Sequence, residues 1–272
     1  MRRATVAVLM VGVLWTAVGL AQRRQPPTSP FEYAVFSLGD VQLRDEVRAI
    51  DGDVGSNNGT ANIGKNVRVA GSIVGRTIKL RQGARPDSLF CLLLQGSIAG
   101  LSCQAVGLPV VATNQLPPVQ VIPGNQPVKV PQGSSTSPIP AGAYGNVRVA
   151  SRGTLMLAGG DYVFRSIRVR SQAQLLCSGP CQIGVAETVT LQSNAVLGGI
   201  SGSGTRAQDV LLNVAQKSRN TVFSAGQNST VAAIVYAPGG RIELRRRGNF
   251  VGSFVGGQVK VEKAAIVQAR SP

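Results

Sequence analysis

The sequence contains no histidine, and this absence removes several kinds of catalytic and metal site at once. Ser-His-Asp triads, Cys-His pairs and His-ligated metal centres all need an imidazole. Acidic residues are also scarce, because 12 Asp and Glu stand against 28 Lys and Arg and leave a formal net charge of +16. Hydrolysis of a glycosidic bond needs two carboxylates close together. We therefore predict a protein that is not an enzyme and that holds neither a metal nor another cofactor.

Aromatic residues make up only 4% of the chain, and the single tryptophan, Trp15, lies in the N-terminal apolar run. Large aromatic anchors therefore cannot fill the core. Hydrophobic residues nevertheless reach 43%, and there are 33 glycines, so small and branched aliphatic side chains must build it. This composition favours β-structure with thin, regular layers.

Residues 1–21 have the pattern of a secretory signal peptide. Arg2 and Arg3 precede an apolar run from Ala4 to Leu20, and Ala21 offers a small residue for cleavage. An uncleaved membrane anchor is the alternative, since the run approaches the length of a span. A short polar lead follows over residues 22–30, with no later segment of spanning length. We expect an exported chain, in the periplasm, at the cell surface or outside the cell, with no membrane span after cleavage.

Four cysteines fit such a compartment, because disulfides persist where conditions are oxidising. Three pairings are open. The local one is expected, with Cys91 bonded to Cys103 and Cys177 bonded to Cys181. A four-thiolate metal site is the alternative, although the spacing lacks a Cys-x-x-Cys pair.

A repeat occupies the second half of the chain. Val147-Arg-Val149, Ile167-Arg-Val169 and Val189-Thr-Leu191 share one template, in which a polar residue separates two aliphatic ones, and two further copies start at Ile242 and Val259. Looser copies start at Val67 and Ile78. Aliphatic residues at period two predict short strands with one face inward, and self-similarity near 20 residues indicates a solenoid. The prediction is an all-β fold, a β-helix (β-solenoid), with a β-sandwich as the alternative.

Prolines mark a break in this pattern. Residues 109–140 contain eight prolines, which remove the N–H donors that a strand ladder needs. We predict a Pro-rich connector there, between an N-terminal part at residues 31–108 and a C-terminal part at residues 141–272. Two parts of one solenoid are favoured over two domains, because the first part alone would have a small core.

Several glycine-punctuated segments carry a family resemblance. They are Asp51-Gly-Asp-Val-Gly-Ser-Asn-Asn-Gly59, Ala141-Gly-Ala-Tyr-Gly145, Gly159-Gly-Asp-Tyr-Val-Phe164, Ala233-Ile-Val-Tyr-Ala-Pro238 and Gly248-Asn-Phe-Val-Gly-Ser-Phe-Val-Gly256. Their order resembles bacterial exported β-helix proteins of the choice-of-anchor and polymer-forming type, and more distantly the bactofilins. The resemblance implies a right-handed β-helix with a surface or envelope role and implies no catalytic residues.

The first of these segments also raises the question of Ca²⁺. Asp51, Asp53, Asn57 and Asn58 supply oxygen donors at loop spacing. The EF-hand pattern fails, however, because it needs an acidic residue at its fifth position and Glu at its twelfth. A turn between strands is the favoured interpretation.

The outward positions of the repeat are mostly basic. If the turns stack in register, these side chains form a polyanion-binding face, and ordinary solvated positions are the alternative. The candidate residues are Arg68, Lys79, Arg148, Arg168, Arg170, Arg245, Arg247 and Lys260.

These observations predict an exported structural or adhesive protein of the cell envelope or surface, which acts by self-association or surface contact. Its partners would be further copies of the chain, in a homo-oligomer or polymer. A binding module for acidic polysaccharide or lipopolysaccharide is the first alternative. A β-helix carbohydrate-active enzyme is the second, because a stack of turns can bring distant carboxylates together. Sequence-specific nucleic-acid binding is not expected, because no recognised motif is present.

Overall fold

The structure, a computed structural model, describes residues 25–269 except residues 51, 99, 113–115 and 219. The predicted signal peptide and the first residues of the polar lead lie outside this range. The described chain forms one β-solenoid of about 11 turns, so the predicted all-β solenoid is confirmed. Its 25 strands belong to a single sheet, and every pairing between named strands is parallel.

The N-terminal part of the chain supplies four turns. A short 3₁₀ helix over Pro30–Glu32 precedes them. Their strands are β1 (Val35–Ser37), β2 (Val41–Leu43), β3 (Arg48–Ile50), β4 (Val54–Ser56), β5 (Thr60–Ile63), β6 (Arg68–Leu80), β7 (Arg85–Gln95) and β8 (Cys103–Gln104).

The rest of the chain supplies seven turns. A second 3₁₀ helix covers Ala207–Asp209. The strands are β9 (Val128–Val130), β10 (Gly142–Ala143), β11 (Asn146–Val149), β12 (Thr154–Leu157), β13 (Gly160–Phe164), β14 (Ser166–Val169), β15 (Gln174–Cys177), β16 (Cys181–Val185), β17 (Val189–Leu191), β18 (Val196–Gly199), β19 (Val210–Val214), β20 (Thr221–Ala225), β21 (Thr230–Ala232), β22 (Ile234–Leu244), β23 (Asn249–Val251), β24 (Phe254–Val261) and β25 (Ile266–Gln268). Strand β9 begins inside the predicted Pro-rich connector, so the connector is shorter than residues 109–140.

Each turn contributes strands to three faces that run along the stack. Face 1 contains β1, β4, β8, β10, β13, β16 and β19. Face 2 contains β2, β5, β9, β11, β14, β17 and β20, and face 3 contains β3, β12, β15, β18, β21, β23 and β25. The long strands β6, β7, β22 and β24 bend across more than one face.

The repeat template explains how these strands pack. In β11, Val147 and Val149 are buried while Arg148 between them is exposed, and β14 repeats this with Ile167, Arg168 and Val169. Successive turns place the same inward positions directly over one another, so aliphatic side chains form a continuous core. Burying each such side chain stabilises the fold by roughly 1.5–3 kcal/mol.

The corner between faces 2 and 3 has the same left-handed backbone conformation in ten turns of the stack. Eight non-glycine residues there have φ between 54° and 62°, among them Asn194 and Ala264. Each donates its backbone N–H to a carbonyl of the next turn, as Asn194 does to Gln227 at 2.9 Å. The sharp corner needs this left-handed conformation, which an L-residue adopts at a cost of roughly 1–2 kcal/mol. The residues in stacking order are Gly133, Arg152, Gln172, Asn194, Asn228, Arg247, Ala264, Glu46, Asn66 and Gly83.

The order of the turns in space differs from their order in the chain. The first N-terminal turn stacks on the last C-terminal turn, because β1 and β2 pair with β24 while β3 pairs with β25. The four N-terminal turns therefore extend the stack beyond β25. We call this junction the seam. The chain enters and leaves the stack there, and a Cβ on Gly52 would lie within 3 Å of both Ala34 and Ala269.

The connector, residues 105–127, joins the far end of the N-terminal turns to the opposite end of the stack. It runs along the outside of face 1. The Asn57 side chain holds the backbone of Val111, the Tyr236 hydroxyl donates to the Pro117 carbonyl at 2.9 Å, and the Gln126 carbonyl accepts from the Gly145 N–H at 2.7 Å. The connector packs against outward-facing apolar side chains in a second cluster, whose buried members, with Val111 of the connector among them, are Tyr33, Phe36, Val74, Phe90, Val111, Tyr236 and Val255.

Candidate anion-binding surfaces

Three cations stack on face 2 at the beginning of the seven-turn part. Arg148 lies in register with Lys129 on one side and with Arg168 on the other, and all three side chains are exposed. Neighbouring turns are about 4.8 Å apart. We call these residues the face-2 triad. Lys129 had not been predicted, although Val128-Lys-Val130 fits the repeat template, because it lies in the Pro-rich segment.

Lys79 and Lys260 occupy the same outward row of face 2 but are not neighbours. Gln42 and Asn62 lie between them in the register. Lys260 is also engaged with carboxylates, because its Nζ lies 3.1 Å from Glu262 and 4.0 Å from Glu243. The row is therefore basic only in parts, and Lys260 is partly neutralised.

Arg68 lies on face 3, away from the row that contains Arg148. It stacks in register between Arg48 and Arg85, and all three side chains are exposed. We call these residues the face-3 triad. Val47-Arg-Ala49 and Ala84-Arg-Pro86 carry a weak form of the repeat template, which is the signal that could have revealed Arg48 and Arg85.

The other three predicted residues lie at the corner between faces 2 and 3. Arg170 and Arg245 occupy the first corner position of their turns, and Gln192 and Gly226 separate them in the stack. Arg245 approaches Glu243 at 3.6 Å. Arg247 is the left-handed corner residue of its turn, with φ of 59°. These arginines therefore do not extend either triad.

Both disulfides have the expected local pairing. Cys91 in β7 is bonded to Cys103 in β8, and Cys177 at the end of β15 is bonded to Cys181 at the start of β16. Since all four cysteines are paired, the alternative of a four-thiolate metal site is wrong.

The oxygen donors considered for Ca²⁺ make internal hydrogen bonds. The buried Asp53 carboxylate accepts from the Ser72 N–H at 2.5 Å. Asn57 donates to the Val111 carbonyl at 2.8 Å and accepts from the Val111 N–H at 2.7 Å. Asp51 lies outside the described residues. Within the described ranges, no group of three or more His, Cys, Asp or Glu residues is placed to hold a metal ion.

Two tyrosines on face 1 have strongly perturbed ionisation. Burial raises the pKa of Tyr236 to about 12, and its hydroxyl reaches the connector. Burial, with the nearby Asp53 and Glu32 charges, raises the pKa of Tyr33 still further. Both groups stay neutral at physiological pH, where they act as hydrogen-bond donors that hold irregular backbone against the stack.

Comparison with known proteins finds one relationship. Residues 143–269 match a family model described as a domain of unknown function (DUF7305). No curated protein and no solved structure matches the chain. The match extends from β10 to just past β25, so it contains most of the seven-turn part and leaves out the four N-terminal turns and the connector. It gives no support for or against the choice-of-anchor or bactofilin-like type, which stays a prediction.

No helix in the described parts of the chain has the length and apolarity that crossing a membrane requires.

Proposed function

We propose that this protein is an exported, non-catalytic structural protein of the cell envelope or surface, which acts by contact with anionic polymers. Acidic polysaccharide and lipopolysaccharide are the polymers we favour. The observation that carries the proposal is that exposed cations stack on consecutive turns in two places, the face-2 triad and the face-3 triad.

Stacked cations are unfavourable for an isolated protein. Two unit charges about 4.8 Å apart repel by about 1 kcal/mol in water, and like charges directly opposite on neighbouring strands destabilise a sheet. The described residues include no ion-pair partner within 4.0 Å of any triad member. A polymer with regularly spaced negative groups would relieve this repulsion and release its own counterions.

The arrangement of carboxylates favours binding over catalysis. Glu243 and Glu262 both approach the Lys260 ammonium, and each forms an ion pair with it. A glycosidase pair needs one carboxyl group that can hold a proton near neutral pH, usually through burial. Glu243 and Glu262 are half-buried, and both are already engaged as ion-pair partners of Lys260.

Salt-dependent retention on immobilised heparin tests the proposal. Replacing the face-2 triad by glutamine in K129Q/R148Q/R168Q should lower the elution salt and reduce the salt slope of log K by about two to three. The control R76Q/R152Q/K217Q removes the same charge from exposed positions that have no cation in register on a neighbouring turn. Equal elution of the two variants would show that only net charge matters and would contradict the proposal.

Self-association is a second candidate function. The strand edge that β7 presents at the end of the N-terminal turns supports it. Strand β7 is the last long strand, and only Leu89 and Phe90 of it have a further described neighbour, in β8. Leu92 and Leu93 are 64% and 51% exposed. Such an edge can pair with another chain.

The opposite end of the stack is protected. Its first turn carries the exposed prolines Pro131, Pro138 and Pro140, which cannot donate to an added strand. Pairs of molecules joined at the β7 end are therefore favoured over filaments. Sedimentation velocity should show a monomer–dimer equilibrium that L92K/L93K abolishes. A wild-type chain that stays monomeric at high concentration would refute self-association through this edge.

A further inference from the structure

A groove of about 470 Å³ crosses the seam at the corner between faces 2 and 3. Its walls come from different parts of the chain. Arg246, Lys260 and Lys263 belong to the last turns of the seven-turn part, and Arg44, Lys79 and Arg81 belong to the N-terminal turns. Neither part alone contains the whole site. We call it the seam groove.

The two carboxylates in the seam groove already have partners. Glu262 accepts from Lys260 at 3.1 Å, and the Asp45 carboxylate accepts the backbone N–H of Lys65 at 2.8 Å. A third carboxylate nearby, Glu46, pairs with Lys263 across the seam at 3.1 Å. With Glu46 counted, the N-terminal wall carries three cations and two carboxylates and the other wall three cations and one carboxylate, so both walls keep a net positive charge.

A glycine forms the floor of the seam groove. Arg44, Gly64 and Arg81 occupy the same corner position of three successive turns, where each N–H donates to the turn before it. Gly64 separates two exposed arginines in this position. A Cβ at Gly64 would lie 2.6 Å from the carbonyl carbon of Arg44 and 2.7 Å from a carboxylate oxygen of Asp45, so no side chain fits there. Arg44 and Arg81 therefore line the groove with no side chain between them in this corner position.

Because the groove lies at the seam, its positive charge affects how firmly the N-terminal turns dock on the rest of the stack. Within the stack no strand crosses the seam, the connector passes it on the outside of face 1, and parallel strand pairs hold the two parts together there. Net repulsion between the positive walls, which the Glu46–Lys263 pair offsets only in part, opposes docking of the N-terminal turns on β24 and β25. An anion between the walls would convert that repulsion into attraction on both sides.

We propose that the seam groove binds a compact anion that carries several phosphate or sulfate groups, and that this binding holds the N-terminal turns on the rest of the stack. The two arginines that flank Gly64 provide forked donors, which suit phosphate and sulfate oxygens. The site is separate from both triads. A ligand that binds only the docked state stabilises that state in proportion to its concentration over its Kd.

Hydrogen exchange with inorganic tripolyphosphate as the probe tests this inference. The reporters are N–H groups that donate across the seam, from Leu38 to Gly256, from Arg44 to Val261 and from Arg48 to Ala265. Tripolyphosphate should slow their exchange at least tenfold relative to sodium chloride of equal ionic strength. The Gln172 N–H, which donates to Ser193 within the seven-turn part, should not change.

Two matched variants assign the effect to the seam groove. R44Q/R81Q should lose the protection of the seam amides, while R148Q/R168Q, which removes the same charge from face 2, should keep it. All four side chains are exposed, so both variants are expected to fold. A heparin fragment in a parallel series distinguishes a sulfated polymer from free phosphate as the source of the anion.

Three results would overturn the inference. They are failure of tripolyphosphate to bind in equilibrium dialysis, equal protection throughout the stack, and protection of the seam amides that persists in R44Q/R81Q. Retention of the face-2 variant on heparin is a separate readout, so the inference can fail while the proposed function stands, and the reverse also holds.

Discussion

Replacing Asn57 by alanine should loosen the connector from the stack. The Asn57 side chain is only 2% exposed, and it makes both of its hydrogen bonds to one residue of the connector. Its Nδ2 donates to the Val111 carbonyl at 2.8 Å, and its Oδ1 accepts from the Val111 N–H at 2.7 Å. Val111 is 6% exposed and lies in the outer apolar cluster, so water does not readily replace the lost partners.

The size of the effect follows from the cost of leaving buried polar groups unpaired. Each lost partner leaves a Val111 backbone group unsatisfied at roughly 1–3 kcal/mol, so a connector that stayed in place would cost the fold about 2–6 kcal/mol. Release of the connector avoids this penalty but uncovers part of the outer cluster. We therefore expect a loss of about 2 kcal/mol in the free energy of unfolding, together with much faster proteolysis within residues 105–127.

Urea unfolding and limited proteolysis of Asn57→Ala measure the two effects. Asn58→Ala is the matched control, because Asn58 is the same residue type at the next position and is exposed. The control should unfold within about 0.5 kcal/mol of the wild type. If the two variants unfold alike and are cut alike, the connector is not held by Asn57, and the reasoning is refuted.

Two further predictions concern the corner residues and the buried tyrosine. Ala264→Gly should stabilise the fold by about 0.5–1 kcal/mol in urea unfolding, because glycine removes the left-handed penalty and costs less in chain entropy than it saves. Ala265→Gly, one residue on, should destabilise it by about 1–2 kcal/mol, because a fully buried methyl group is lost. The pKa of Tyr236 rises on folding from 10.0 to about 12, so its contribution is complete below pH 10 and is lost as the pH rises from 10 to 12. Tyr236→Phe should remove this part of the alkaline loss, measured by thermal unfolding between pH 9 and pH 12.

The sequence was sufficient to predict the strands that follow the repeat template, the solenoid and the local disulfide pairs. The template around Arg148 predicts buried neighbours and an exposed centre because side chains alternate along a strand. The structure confirms it in β11 and β14, whereas β1 and β4 on face 1 are buried on both sides. The left-handed corner was less visible, since arginine, glutamine, glutamate and alanine occupy it as well as asparagine and glycine.

The order of the turns could not be predicted, for a physical reason. Each end of a β-solenoid presents the same kind of edge, with unpaired backbone groups around an apolar centre. No residue near β1 or β25 indicates which edge each strand pairs with. The template also does not indicate which face a strand joins, and Arg68 lies on a different face from Arg148 although both fit the template. The prolines indicated an extended connector, but its path along face 1 depends on distant contacts such as that between Tyr236 and Pro117.

The permuted stack also determines how a long polymer would bind. The face-2 triad lies in the first three turns of the stack and the face-3 triad in the eighth to tenth, so Arg148 and Arg68 are seven turns apart, or about 34 Å along the axis. A heparin fragment shorter than about 24 Å, the five turns between Arg168 and Arg48, reaches only one triad.

A longer fragment engages both triads as one bivalent ligand, and its affinity should rise at least tenfold above that length. Calorimetry with graded fragments measures this threshold. R48Q/R68Q/R85Q and K129Q/R148Q/R168Q should each abolish it while leaving the binding of short fragments to the remaining triad intact. A smooth dependence on length that is unchanged in both variants would mean that the two triads do not act on one polymer, because two independent sites produce no threshold.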